Sequence, residues 1–165
     1  MKLNVNGRAH DVDADPAMPL LYALADDLGL RGPRLGCGLA QCGSCSVLVD
    51  GREMRACVTP LSAIGHREVT TLEGLPGLHA RSGRAPTVSG LHPVQEAFIA
   101  EQAPQCGYCF NGIAIKAAEL LAADPSPTEA RVRAALDGHL CRCGTYPRIL
   151  AAVMRASTAM AGGAR

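Results

Sequence analysis

Eight cysteines in two quartets constrain this 165-residue chain more than any other feature. Cys37-x4-Cys42-x2-Cys45 is completed by Cys57, and Cys106-x2-Cys109 is completed, after 31 intervening residues, by Cys141-x-Cys143. The first spacing is that of plant-type ferredoxins, C-x4-C-x2-C with a distant fourth ligand. Gly36, Gly38 and Gly43 punctuate it. A loop that wraps an anionic cluster must turn tightly and aim backbone N–H groups at sulfur, which glycine permits. The second quartet admits either a cluster or a structural zinc ion. For the first, zinc is the poorer fit, because three ligands within nine residues of a glycine-rich loop suit a wider core. Two [2Fe-2S] centres in one small chain imply a path for electrons.

Size and composition agree with two small units. Aromatic residues are scarce and tryptophan is absent, so each half must build its core from Leu, Val, Ile and Ala. Below roughly 80 residues such cores usually need a staple, and each half carries four thiols. The formal charge of +1 gives no reason to expect nucleic acid as a partner. Oxidised [2Fe-2S] clusters held by four thiolates carry about −2 each, which makes the loaded protein mildly acidic. No cationic and apolar leader opens the chain, and no apolar run approaches the ~18–20 residues that span a bilayer. A cytoplasmic location, or carriage to the periplasm or membrane surface by a partner, is therefore expected.

Residues 1–76 read as a β-grasp unit. Leu3 and Val5 alternate with polar residues before Asn6-Gly7, and Val47 to Val49 lead into Asp50-Gly51; both dipeptides suit a two-residue hairpin turn. Between the hairpins, Leu20, Leu21, Leu24 and Leu28 form a helical stripe stopped by Gly29. A short strand from Glu68 to Leu72 would complete the sheet, and Cys57 is expected on the strand after Asp50-Gly51. Residues 77–92 show no periodicity and read as a linker. Residues 93–160 read as a four-helix bundle, with helices opening at Pro93, after Cys109, after Thr128 and before Ile149, and a frayed tail from Ala161. The fold expected is thus α+β.

The gap in the second quartet closes if it is a helical hairpin. Asn111 to Ala123 rises ~20 Å and Thr128 to Leu140 falls by nearly as much, returning Cys141 and Cys143 to Cys106 and Cys109. Cysteines two apart diverge on a regular helix, so Cys141-Arg142-Cys143-Gly144 must be a turn. The helix after Cys109 would direct free N–H groups and its positive dipole end at the cluster.

Gly36-Cys37-Gly38 through Cys45, Gln105-Cys106-Gly107-Tyr108-Cys109 and Leu140-Cys141-Arg142-Cys143-Gly144-Thr145-Tyr146-Pro147 together resemble the small iron-sulfur subunit of the molybdenum hydroxylases, the xanthine oxidase family. The resemblance covers about residues 1–155. It implies a large partner subunit holding a molybdopterin cofactor, in the cytosine dinucleotide form, where an N-heterocycle or aldehyde is hydroxylated. Electrons then leave through a proximal cluster on Cys106, Cys109, Cys141 and Cys143 and a distal one on Cys37, Cys42, Cys45 and Cys57. It also implies that Gln105 and Cys143 contact the pterin; a carboxamide can both donate to and accept from a flat heterocycle. The short linker and the Cys-Arg-Cys-Gly-Thr-Tyr-Pro-Arg stretch look most like the small subunits of isoquinoline 1-oxidoreductase and nicotinate dehydrogenase, the acceptor being a cytochrome c or a flavin subunit. Aldehyde dehydrogenases of the family are close rivals.

The remaining candidates are weaker. No two of His10, His66, His79, His92 and His139 have ligand-pair spacing, so surface or capping roles are expected. Arg142 and Arg148 flank the second quartet and suit either charge compensation or solvent. Tyr108 needs no role beyond packing. No general acid, base or nucleophile stands out. The rival functions are a free-standing ferredoxin-like carrier and a zinc-stabilised interaction module.

Overall fold

The computed structural model describes residues 1–162. The N-terminal half is a five-stranded mixed sheet of β1 (Lys2–Val5), β2 (Arg8–Asp11), β3 (Ser46–Val49), β4 (Arg52–Arg55) and β5 (Glu68–Thr70), in the order β2-β1-β5-β3-β4. Both expected hairpins form. Asn6 and Gly7 take φ of 54° and 77°, and Asp50 and Gly51 take 50° and 79°, the left-handed pair that joins antiparallel strands whose twist is right-handed. β5 then inserts between the hairpins, parallel to β1 and antiparallel to β3. Helix α1 (Leu20–Tyr22) runs straight into a wider π turn (Ala23–Asp27), and together they lay Leu20, Leu21 and Leu24 on one face of the sheet.

The opposite face of β3 is what joins the halves. Ser46 to Val49 are all buried: Val47 and Val49 belong to the sheet core, whereas Leu48 packs into the helical core. A strand covered on both faces has no solvent side, which is why its sequence runs apolar without alternation.

The helical half holds α2 (Leu75–Arg81), α3 (Pro93–Ala100), α4 (Phe110–Ala123), α5 (Glu129–Ala135) and α6 (Tyr146–Gly162). The four expected helices are α3 to α6, around a core that includes Phe98, Ile113, Leu121 and Val153. Three details differ from expectation. The segment read as an irregular linker begins with α2, which buries Leu75 against the helical core; Pro76 is tolerated because it stands in the first turn, where its missing N–H costs nothing. Helix α5 is capped as expected, Thr128 Oγ1 accepting from Arg131 N at 3.2 Å, but it stops at Ala135 because Gly138 (φ 83°) turns the chain. The hairpin therefore closes partly through the irregular 136–140 stretch. Ala161 and Gly162 remain helical; the rest of the expected frayed tail lies outside the described residues.

His92 takes the capping role expected of it: Nδ1 accepts from Val94 N at 3.2 Å, while Gln95 Oε1 accepts from His92 N at 3.0 Å. His79, expected in a surface or capping role, is buried, edge-on to His92 at 5.3 Å between ring centroids, with Nε2 3.0 Å from Ala85 O. Burial, then the charges of His79 and Arg84, pull His92 down to about 4. Because the folded value lies below the unfolded ~6.5, the unfolded chain binds the proton first, and stability falls as pH drops from about 6.5 toward 4. His92→Asn keeps a good N-cap and should make the fall over that range shallower by on the order of 3 kcal/mol; urea melts at a series of pH values read it directly.

Among the described residues no helix is long and apolar enough to cross a membrane.

Candidate metal centres

The loop after Gly36 curls around Cys37. Leu39, Gln41 and Cys42 aim their backbone N–H groups at Cys37 Sγ at 3.4, 3.3 and 3.3 Å, and Cys37 N donates to Cys42 Sγ at 3.3 Å. This cradle needs Gly38 and Ala40 at positive φ, 67° and 60°. Three donors converging on one sulfur favour its anion, and with the Leu39 N–H leading they bring Cys37 down to about 7. Cys45 is the opposite case, its thiol pushed up to about 12 by burial, with Cys57 beside it. Cys57 is not on a strand as expected. β4 ends at Arg55, and the turn that follows swings Cys57 back to Cys45.

The second quartet assembles across the bundle. Cys109 caps α4, so the free N–H end of that helix faces the site as expected. Cys141 and Cys143 sit in an irregular turn released by Gly144 at φ 72°. Burial pushes Cys109 up to about 12, with Cys141 as its neighbour. For Cys141 burial opposes ionisation, but Thr145, Cys109 and nearby N–H groups outweigh it and bring the thiol down to about 7. The Tyr108 N–H, followed by the Cys143 thiol, lowers Cys106.

The thiols thus meet two by two: Cys37 with Cys42, Cys45 with Cys57, Cys106 with Cys143, and Cys109 with Cys141. Among the described residues no three His, Cys, Asp or Glu side chains group as ligation of a single ion requires. A [2Fe-2S] core asks for something else, two ligands on each of two irons, and paired thiols are what the fold supplies. The all-thiol donor set and the N–H groups aimed at sulfur fit that group. Because every ligand must be a thiolate, loading releases protons.

The two quartets touch through the backbone. Leu140 N, adjacent to Cys141, donates to Cys42 O at 3.0 Å. Around this contact lies a polar seam that sequence reasoning missed. His139, expected among the surface or capping histidines, is 2% exposed, its Nε2 2.9 Å from Arg55 Nη1 and 3.0 Å from Glu53 Oε1. Burial, with help from Arg55 and Lys116, lowers it to about 4, so the imidazole is neutral near pH 7. Arg55 also pairs with Glu53, while Lys116 reaches Glu53 at 3.4 Å and Glu119 at 2.6 Å. Asn111, equally buried, donates from Nδ2 to Ser44 O at 2.8 Å and Ser46 O at 2.9 Å. No periodicity or pair spacing marks these residues; the one available signal was the unbroken apolar run of β3, which announces a second covered face.

Gln105 and Cys106 are exposed and Cys143 half-buried, on one open edge of the helical half. Tyr108 packs across the seam, its hydroxyl donating to Leu35 O and its ring lying 5.3 Å below the Arg34 guanidinium. Arg142 is exposed beside the ligands Cys141 and Cys143, and Arg148 donates to Gln102 O at 3.4 Å.

Residues 3–64 match the 2Fe-2S iron-sulfur cluster binding domain family and residues 71–154 the [2Fe-2S] binding domain family. Over 157 residues the chain is 49% identical to a nicotinate dehydrogenase subunit of Pseudomonas putida, covering 95% of this chain and 94% of that one. It is 48% identical to the alpha subunit of isoquinoline 1-oxidoreductase from Brevundimonas diminuta, over 84% of each. The crystal structure of quinoline 2-oxidoreductase from Pseudomonas putida 86 contains a chain that superposes with a TM-score of 0.85 at 32% identity, covering 99% of this chain and 96% of that one. Two cluster-binding domains in this order, on thiols brought together as described, place the chain in the xanthine oxidase family as an iron-sulfur subunit of the molybdenum hydroxylases, part of an oxidoreductase and not catalytic alone.

Proposed function

We propose that this chain relays electrons from a molybdopterin site in a large partner subunit to an external acceptor, through two [2Fe-2S] clusters. Cys106, Cys109, Cys141 and Cys143 hold the proximal cluster; Cys37, Cys42, Cys45 and Cys57 hold the distal one. Residues 1–76 and 93–160 are the two cluster-bearing units, joined by 77–92. The observation that carries this reading is a set of eight unbridged cysteines in two quartets whose segments meet at the Leu140 N to Cys42 O hydrogen bond. When bound, each cluster takes up and releases one electron at a time. The chain's own residues supply thiolates, aim N–H groups at sulfur, and keep the inner ligands Cys45 and Cys57 out of water.

The partner docks at the open edge carrying Gln105, Cys106 and Cys143, where the Gln105 carboxamide and the Cys143 sulfur meet the pterin, taken as the cytosine dinucleotide form. The substrate is an N-heteroaromatic such as nicotinate or isoquinoline, a reading supported by the relatives of nearly half identity; an aldehyde is the alternative. The acceptor, a cytochrome c or a flavin subunit, approaches the distal loop. The complex works in the cytoplasm, or is carried to the periplasm or membrane surface by its partner.

Purification from native extract should bring down a large molybdenum-containing chain in fixed ratio. A stable monomer that exchanges electrons with many partners would instead support a free-standing carrier. In the assembled complex, Gln105→Ala should leave both cluster spectra intact and lower turnover by roughly tenfold, the effect of losing about 1.4 kcal/mol of contact; unchanged turnover removes Gln105 from the pterin site.

A further inference from the structure

We propose that Asn111 and His139 are positioning residues that clamp the distal ligand loop onto the proximal ligands and so hold the gap across which electrons pass. The inference rests on the reading of two clusters.

The two residues are placed alike. Asn111 stands two residues after Cys109 and His139 two residues before Cys141, so each is joined by a few covalent bonds to a proximal ligand. Each reaches across to the same short stretch, 43–46. The Asn111 amide spans Cys45, giving one N–H to Ser44 O and one to Ser46 O. A carboxamide carries two N–H donors on one nitrogen; a hydroxyl has one and a carboxylate none. The His139 ring lies flush on the backbone at Gly43, where an added Cβ would come within 2.5 Å of Cδ2. Its outer nitrogen lies between Arg55 Nη1 and Glu53 Oε1, accepting from the first or donating to the second, and either bond keeps the ring from swinging away.

One attachment between two units leaves a hinge; two on either side of a contact do not. Between these two lies the Leu140 N to Cys42 O bond, a direct backbone link between the ligand sets. Stability alone does not account for the choice of residues. Among the described residues Asn111 Oδ1 and His139 Nδ1 have no partner, a burial cost that sets against the bonds these side chains make. Geometry does account for it, since electron passage falls steeply with distance, and a seam free to slip would spread the distance.

The test uses the loaded complex. With both clusters reduced, low-temperature EPR reads the magnetic splitting between the two spins, and rapid-mixing spectroscopy reads passage from one to the other. Asn111→Ala and His139→Ala should each hold about four irons and show both cluster signals, yet give a weakened or broadened splitting and several-fold slower passage. His139→Gln, whose carboxamide nitrogen reaches about as far as Nε2, should return both to wild type. Fully loaded alanine variants with unchanged splitting and rate overturn the proposal. If the alanine variants take up less iron, Asn111→Ser and His139→Asn carry the same two readings, and unchanged values in both overturn it equally. A wild-type complex lacking one cluster signal or half the iron would instead defeat the two-cluster reading, and iron content tells the two failures apart.

Discussion

Cys37→Ser and Cys106→Ser should each lower the iron content from about four per chain to about two, and each should abolish a different EPR signal. Serine keeps the size of the side chain but replaces a thiol whose ionisation its surroundings favour with a hydroxyl that does not ionise. At Cys37 the loss is direct, because three N–H groups are already aimed to hold an anionic sulfur there. Cys42, Cys45 and Cys57 would remain, with Cys45 strongly disposed to stay protonated, and three thiols leave a core that needs four one ligand short. The helical quartet shares no thiol with the first, so its signal should survive in Cys37→Ser and the converse should hold in Cys106→Ser. Electrons would enter the Cys37→Ser complex and stop at the proximal cluster. Turnover with the physiological acceptor should fall to background, while reduction of the remaining cluster by substrate persists. Loss of both signals in either variant would show that the sites fold as one.

Gly112→Ala should be the most damaging substitution away from the cysteines. Gly112 lies on the first turn of α4, and a Cβ there would stand 2.0 Å from Gly43 O and 2.6 Å from Gly43 C. Both are backbone atoms of the distal loop, so no side chain can rotate aside. Either α4 lifts off the loop, breaking the Asn111 bonds to Ser44 and Ser46, or the loop shifts and disturbs Cys42 and Cys45 on either side. Overpacking of a dense site typically costs 1–3 kcal/mol, and the contact here is at the severe end. For a chain of this size that corresponds to a drop in melting temperature on the order of 10 °C, measurable by calorimetry on the loaded protein. Gly107→Ala gives the contrast. It has a positive φ, 78°, but open space around it, so its cost should be the smaller one of backbone conformation.

The contrast between these two glycines marks where the sequence was legible. Asn6-Gly7 and Asp50-Gly51 declare their turns because the dihedral requirement is local to the dipeptide, and the cysteine spacings declare their loops for the same reason. The stripe at Leu20, Leu21 and Leu24 and the cap at Thr128 were equally readable. Gly112 carries no such mark. Its requirement comes from Gly43, far away in the chain, and only the folded seam brings the two together. His139, expected in a surface or capping role, escaped on similar grounds: a single histidine between Gly138 and Leu140 has no periodic context, and its burial follows from Arg55 and Glu53 on another unit. Helix α2 was missed because Pro76 and Gly77 argue locally against a helix, while Leu75 and Leu78 find their partners in the helical core. Local rules thus located the ligands; the spacing between the ligand sets is a property of tertiary packing.

That spacing matters only if the chain carries two clusters, and the most direct measurement is metal and spin analysis of protein purified without oxygen from its native cells. About four irons and about four acid-labile sulfides per chain, with two distinct [2Fe-2S] signals after dithionite reduction, are the predicted result. Stoichiometric zinc, or iron for one signal only, would contradict the account.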